Sequence, residues 1–326
     1  MRSKIVASGA CFALFLSTTI SRGAEGGFYS GPIGGSDIRS AFLSDPGSLS
    51  INLSGSPQWS DLYTGPNGGP NPAARSVAFS VQALVGGLSY VYPWTFAGGK
   101  FGSKIQDQYV FACFRKNSAR QCDSGFTDPY TDILIYSVHL GLFGARPPAP
   151  GSGHLALPYG LTMAPAFSMS LPLGRYNVRE LLNQGHNVAI FVPNISFTYT
   201  TGANLSIGDA TEISTRLYYE VSADNPKTGY RNGDTLVDDF ALTERVHHWQ
   251  FGINGTVAQA TNNDTLHGVS RPVDGNRLFD FLIGPVVQYD VPAWHSSFGI
   301  KALYDAASHD RLEHNLVVAR ATISLF

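Results

Sequence analysis

The run LALPYGLTMAPAFSMSL, residues 155–171, decides the fold. Leu155, Leu157, Tyr159, Leu161, Met163, Pro165, Phe167, Met169 and Leu171 place an apolar side chain at every odd position, and the even positions between them are small or polar apart from Pro158. Successive side chains on a strand point to opposite faces, so the run reads as one strand with a continuous apolar face, far longer than the usual 5–6 residues. Pro158 and Pro165 cannot donate a ladder hydrogen bond, which predicts a bulge or a displaced end at each.

The alternation recurs outward from this run in both directions. Residues 205–221 set Leu205, Ile207, Ile213, Leu217, Tyr219 and Val221 against Glu212, Arg216 and Glu220. Residues 279–291 set Phe279, Phe281, Ile283, Pro285, Val287, Tyr289 and Val291 against Asp280, Gln288 and Asp290. Phe298, Ile300, Ala302 and Tyr304 oppose Lys301, and Val77, Phe79, Val81, Ala83 and Val85 form a further apolar face. No stretch after the N-terminal run shows a sustained helical period of this quality, so the chain is nearly all β.

Two architectures satisfy such a pattern. A soluble sandwich hides the apolar face against a second sheet, whereas an outer-membrane barrel turns it to lipid and keeps a polar interior. Segments this long can cross a bilayer at a tilt of about 45°. Aromatics near segment ends (Tyr90, Tyr92, Trp94; Tyr218, Tyr219; Tyr289, Trp294) suit interfacial girdles. The expected fold is a transmembrane up-and-down antiparallel barrel. Its strands fall near 48–59, 75–93, 104–116, 131–143, 154–172, 187–201, 204–222, 235–246, 247–261, 277–291, 295–306 and 313–326. That count is about 12, with 10 and 14 left open, since bacterial single-chain barrels have even numbers. The chain ends on Phe326, and a C-terminal aromatic after a last strand resembles the signal by which the barrel-assembly machinery recognises its clients. Val317, Ala319, Ala321, Ile323 and Leu325 would face lipid and Arg320, Thr322 and Ser324 the lumen, with Phe326 one residue out of step.

At the other end, Arg2 and Lys4 precede the apolar stretch Ile5 to Ile20, and the small residues Ser21, Gly23 and Ala24 follow. That is the layout of a secretory signal peptide, assigned to residues 1–23. Residues 24–326 are then the barrel, with 24–47 a periplasmic or plug segment. The Gly- and Pro-rich stretch 60–74 is read as a loop or as part of a plug. The expected location is the outer membrane of a Gram-negative bacterium. The charged fraction is 14 % with a net charge of −2, while 12 % of residues are aromatic. Disorder and nucleic-acid binding are therefore disfavoured. Cys113 and Cys122 flank a polar basic segment that reads as a hairpin loop, and in an oxidising compartment they could close it as a disulfide. Neither has a second Cys or His at ligand spacing, so no metal is expected.

Several phrases in order resemble one outer-membrane family. They are Gly26 to Gly31 (GGFYSG), Thr131 to Leu134 (TDIL) and Leu171 to Asn177 (LPLGRYN) with Leu182 to Asn187 (LNQGHN). Asn225 to Tyr230 (NPKTGY), with Gly233 and Asp239 beyond, and Ile283 to Pro285 (IGP) complete the set. Together they resemble the family named for the meta-pathway (MetA-pathway) of phenol degradation. The resemblance implies a barrel that admits small hydrophobic or aromatic compounds for catabolism, and it implies neither an enzyme activity nor phenol itself. Its turn residues fall on Gly174, Tyr176, Asn183, Gly185, Asn187, Asn225, Thr228 and Tyr230. These have two readings: gates that touch solute, or turn chemistry in which Gly permits positive φ and Asn bonds its local backbone.

A channel works through its lining. The face assignments turn Glu212, Arg216, Glu220, Asp280, Gln288, Lys301 and Arg320 inward. Their mixed signs argue against a dedicated anion or cation pore, and they could equally pair across the lumen and hold it shut. His247 and His248 are adjacent and cannot easily share a metal on a strand, and Asn262, Asn263 and Asp264 read as an exposed turn. Catalytic motifs are absent, and Ser137 with His139 lacks a placed acid. The expectation is therefore a passive channel, not an enzyme, with no cofactor, bound by outer-membrane lipid and open to small apolar or aromatic solutes. The alternatives are a structural surface barrel with a closed lumen and a barrel hydrolase.

Overall fold

Period-two segments become the staves of a closed barrel. The computed structural model describes residues 33–72, 76–148, 157–180, 182–202, 208–270 and 277–326; the expected signal peptide, Gly26 to Gly31, Leu155, Leu205 and Ile207 lie outside them. The strands are β1 (Leu49–Ser60), β2 (Val77–Phe96), β3 (Gly99–Lys116), β4 (Ala119–Phe126), β5 (Tyr130–Gly141), β6 (Gly160–Ser170), β7 (Ile190–Thr200) and β8 (Ala210–Ser222). They continue as β9 (Tyr230–Arg231), β10 (Thr235–Val246), β11 (Trp249–Ala260), β12 (Thr265–Leu266), β13 (Val269–Ser270), β14 (Phe279–Val291), β15 (Ser296–His309) and β16 (Asn315–Ser324).

All pairings are antiparallel. Each barrel strand pairs with its neighbours, β16 returns to β1, and β2 pairs with β3, which closes the sheet. β4 pairs with the distal half of β3 and β5 with its proximal half, so the two form one stave interrupted at residues 127–129. Pro129 has no N–H to continue the ladder there. The barrel thus has twelve staves, and β9, β12 and β13 form a small separate sheet. One end carries short turns such as Ala97–Gly98 and His247–His248, with positive φ at Ala97, Gly98 and His247, together with the longer β5–β6 connection 142–159. The opposite end carries the long connections 61–76, 171–189, 223–234 and 261–278.

Outward side chains are apolar between two aromatic rows. At the turn end Tyr92 stacks on Trp94 at 5.3 Å, Trp94 meets Phe101 at 4.8 Å, and Trp249 meets Tyr289 at 4.6 Å. At the loop end Tyr109 meets Phe126 at 5.3 Å, beside exposed Phe111. Ten residues of β3 separate Phe101 from Phe111, roughly 33 Å at about 3.3 Å each, which a tilt of about 40° reduces to the roughly 25 Å of an outer-membrane apolar band.

Five local expectations are corrected. β6 is shorter than 155–171 and begins at Gly160, displaced past Pro158; at Pro165 there is no bulge, because the Ile135↔Ala166 and Val138↔Met163 pairs keep one register across it. The face of Val77, Phe79, Val81 and Ala83 points inward, where it packs with Val110, Ala112, Phe114, Leu182 and Leu312. This end of β2 stands beyond the lipid band, so its outer face meets water through Ser80 and Gln82 and its inner face builds a core of the soluble kind. Tyr218 is no girdle residue: it is buried in the lumen, 2 % exposed. The segment between the cysteines is mostly strand, turning only at Asn117–Ser118, and Cys113 and Cys122 are disulfide-linked directly across β3 and β4. Asp264 is buried and takes bonds from the Tyr230 hydroxyl and the Gly233 amide (2.7 Å), so 262–264 belongs to an ordered loop.

Candidate functional site

The lumen is crossed by the N-terminal segment. Residues 33–45 carry no strand of their own, so their backbone amides need partners that the wall supplies. Gly34 and Ser36 amides donate to Asp239 at 2.9 and 2.8 Å, the Arg39 amide to Glu212 at 2.8 Å, and the Ala41 amide to Thr198 at 3.1 Å. Ser137 donates to the Ala41 carbonyl at 2.6 Å and Lys301 to the Gly34 carbonyl at 2.6 Å. The Arg39 guanidinium grips Asp290 through two nitrogens, at 2.9 and 2.6 Å. Asp37 accepts from Lys301 at 2.9 Å and Arg320 at 2.6 Å. Leaving the lumen at the turn end, the chain enters β1.

All seven inward residues read from the alternation face the lumen, and the structure sorts them into different tasks. Glu212 joins the Arg39 amide to Arg245 (2.7 Å), and Arg216 pairs with Asp132 at 2.8 Å and bonds Asn194 at 2.9 Å. Asp280 pairs with Arg311, Gln288 accepts from Arg320 at 3.1 Å, and Lys301 and Arg320 share Asp37. Glu220 is buried beside Thr235, with one carboxylate oxygen lacking a hydrogen-bond partner among the described residues. Asp37, Arg39, Asp239, Arg245, Lys104 and Asp132 are lumen residues that strand alternation missed: the first two lie on a segment with no period, and the others on β10, β3 and β5, whose alternation was not resolved.

Beside the N-terminal segment lies a cavity of about 600 Å³, within the roughly 300–1,000 Å³ of small-molecule sites. It follows β1 from Ser50 to Gln58 and reaches Gln106 and Gln108 of β3 and Arg320 of β16. Eight residues of strand span roughly 26 Å, most of the way through the apolar band. The lining mixes hydroxyl and amide side chains with apolar ones such as Ile38, Val85, Ile135 and Val318, and charged groups stand between them.

The motif turns lie at the loop end and tie loops to one another. Gly174 and Gly185 are in backbone contact, since a Cβ on Gly185 would come within 2.7 Å of the Gly174 Cα. Asn183 caps the Asn177 amide at 2.7 Å, and Asn187, at φ 58°, donates to Asn225 at 2.8 Å. Lys227 lies over the Tyr176 ring at 5.4 Å and bonds its carbonyl at 3.2 Å. Thr228 accepts from the Tyr230 amide at 3.2 Å, and Tyr230 bonds Asp264. Ser137 and His139 have separate partners, the Ala41 carbonyl and Thr162 (3.4 Å), so they form no nucleophile–base pair.

A closed twelve-stave antiparallel barrel with a lipid-facing apolar band, an inward face that carries the charged groups and a cavity along one wall defines a transmembrane β-barrel of the outer-membrane type. Within that class, the chain belongs to the family named for the MetA-pathway of phenol degradation, whose model matches residues 66–321. No curated protein matches the sequence. The COG4313 outer membrane channel from Pseudomonas putida F1 shares the fold, with a TM-score of 0.71 at 12 % identity over 89 % of this chain and 100 % of that one. The β domain of the Bordetella autotransporter BrkA gives a TM-score of 0.48 at 12 % identity, covering 86 % and 100 % of the two chains.

Proposed function

We propose that this protein is a passive channel of the bacterial outer membrane for small aromatic compounds, and not an enzyme. The observation that carries the reading is the cavity of about 600 Å³ running along β1 beside the docked N-terminal segment. Hydroxyl and amide side chains share its walls with apolar ones such as Ile38, Val85 and Ile135, so a ring bearing a polar substituent fits it better than a bare hydrocarbon, which would leave the polar groups without partners. The family's name for phenol degradation supports the same class of solute, and the outer-membrane channel of like fold supports a channel. Export by the N-terminal signal, assembly through the last strand and Phe326, and outward-facing long loops complete the reading.

The opposing reading is a closed structural barrel, favoured by the hydrogen bonds that hold residues 33–45 across the lumen. Conductance in planar bilayers and swelling of liposomes in small hydroxylated or carboxylated aromatics separate the two. Discrete conductance steps together with aromatic-dependent swelling are the expected result; an inert lumen in both assays sinks the channel.

A further inference from the structure

The cavity carries a surplus of positive charge. Among its lining side chains Arg39, Lys104, Arg216, Lys301 and Arg320 are cations, while Asp37 and Asp132 are the acids. Arg39 is neutralised by Asp290 at 2.6 Å. The other four cations share two carboxylates. Asp37, on the N-terminal segment, takes both Lys301 at 2.9 Å and Arg320 at 2.6 Å. Asp132 on β5 is bonded by Arg216 at 2.8 Å and by Ser168 at 2.5 Å, and Lys104 stands directly across the β3–β5 ladder from it. Among the described residues, nothing accepts a hydrogen bond from the Lys104 ammonium. Each carboxylate therefore serves two cations, and each group of three keeps one positive charge in excess.

The two groups face the cavity from different walls, one carried by the N-terminal segment with β15 and β16, the other by β3, β5 and β8. Glu212, Glu220 and Asp280, which make the inward set read from alternation look mixed in sign, lie outside this cavity. On an open surface such charges would be screened over about 8–10 Å at physiological salt. Between low-dielectric walls the field is focused and the local concentration of counter-ions rises.

We propose that the cavity prefers anions, with Lys104 and the Asp37-centred group setting that preference, and that the solutes it takes are small aromatic carboxylates rather than neutral phenols or aromatic amines. An ammonium without an acceptor offers a carboxylate a charge-assisted hydrogen bond, and Gln106 and Gln108, on the same inward face of β3, supply further donors. This inference rests on the channel reading above and narrows its solute.

The test uses the full-length protein in planar bilayers between unequal KCl solutions. The expected reversal potential has the sign of chloride crossing more readily than potassium. Lys104→Gln shifts it toward zero, Lys104→Arg keeps it, and benzoate lowers the KCl conductance of the unmodified protein where benzylamine does not. Gel mobility with and without boiling verifies that each variant is a folded barrel, and if Lys104→Gln fails to fold, Arg320→Gln replaces it. A channel that favours potassium, or whose reversal potential is the same with and without the Lys104 charge, overturns this inference while leaving the channel standing. Absence of any conductance overturns the channel reading, and this inference with it.

Discussion

At the scale of single residues, Asp37 ties the N-terminal segment to two cations of the barrel wall. Its carboxylate is 3 % exposed and meets Lys301, itself 4 % exposed, and Arg320, so it is the counter-charge of two cations that would otherwise lie in the barrel unmatched. Removing one partner of a buried pair typically costs about 3–5 kcal/mol, because the remaining charge is left uncompensated. The segment docks through this contact, and the strands do not. Asp37→Asn is therefore expected to leave the barrel folded, with gel mobility unchanged, while loosening residues 33–45 and raising single-channel conductance. Unchanged conductance would show that the amide contacts to Asp239, Glu212 and Thr198 hold the segment without it. Asp37 lies on a segment without period, so its place was not legible in the sequence. Lys301 and Arg320 were, because alternation alone turns them inward.

At the scale of elements, the connection 171–189 folds back on the interruption between β4 and β5. Asp128, at that interruption and outside the strands, accepts from the Gly174 amide at 2.8 Å, the His186 amide at 2.6 Å and the His186 ring at 3.0 Å. Burial pushes its carboxyl upward, but the His186 ring and these two amides outweigh that and hold it below its ordinary 3.8. A depressed carboxylate stabilises the fold above its unfolded value and loses that contribution as pH falls through the folded one. The connection should stay docked at neutral pH and loosen only as pH falls below about 3.8, read as reduced amide protection in 171–189 relative to the intrinsic exchange rate at each pH. Asp128→Asn should show part of that loosening already at neutral pH; protection that is independent of pH in the unmodified protein would exclude this latch. The glycines at 174 and 185 were legible as turn residues, but their mutual contact was not, since it joins two parts of a loop that have no period.

For the molecule as a whole, the cavity lies beside the N-terminal segment, so in the proposed channel solute would not have to displace the segment to pass. The Ser137 hydroxyl donates to the Ala41 carbonyl at 2.6 Å, so the segment and β5 approach closely here, and these two positions are the choice for a cysteine tether, whose closure is checked by thiol titration. In an Ala41→Cys/Ser137→Cys variant, the closed tether is expected to leave conductance unchanged relative to either single variant. The native Cys113–Cys122 bond is common to all three and cancels in the comparison. A conductance that collapses on oxidation and returns with reductant would mean that the segment must leave the lumen.

The sequence by itself determined the barrel: a period of two fixes which side chains face lipid, segment length fixes that the strands can cross, and these are local properties that no distant residue can change. It also indicated the inward set and a count of about 12 staves, with 10 and 14 left open, which the closed sheet fixed at twelve. Three things were decided only by the tertiary structure. The inner face of β2 is apolar because that end projects past the lipid and finds Leu182 and Leu312 to pack against. The pairing of charges depends on Asp37 arriving from a segment 264 residues away from Lys301 in the chain (301 − 37). The charge of the conduit depends on where that segment lies, since it divides one lumen of mixed sign into a cavity lined by five cations and two acids and a remainder that holds Glu212, Glu220 and Asp280. Alternation reports a face, whereas the sign of a cavity depends on which faces the fold brings together.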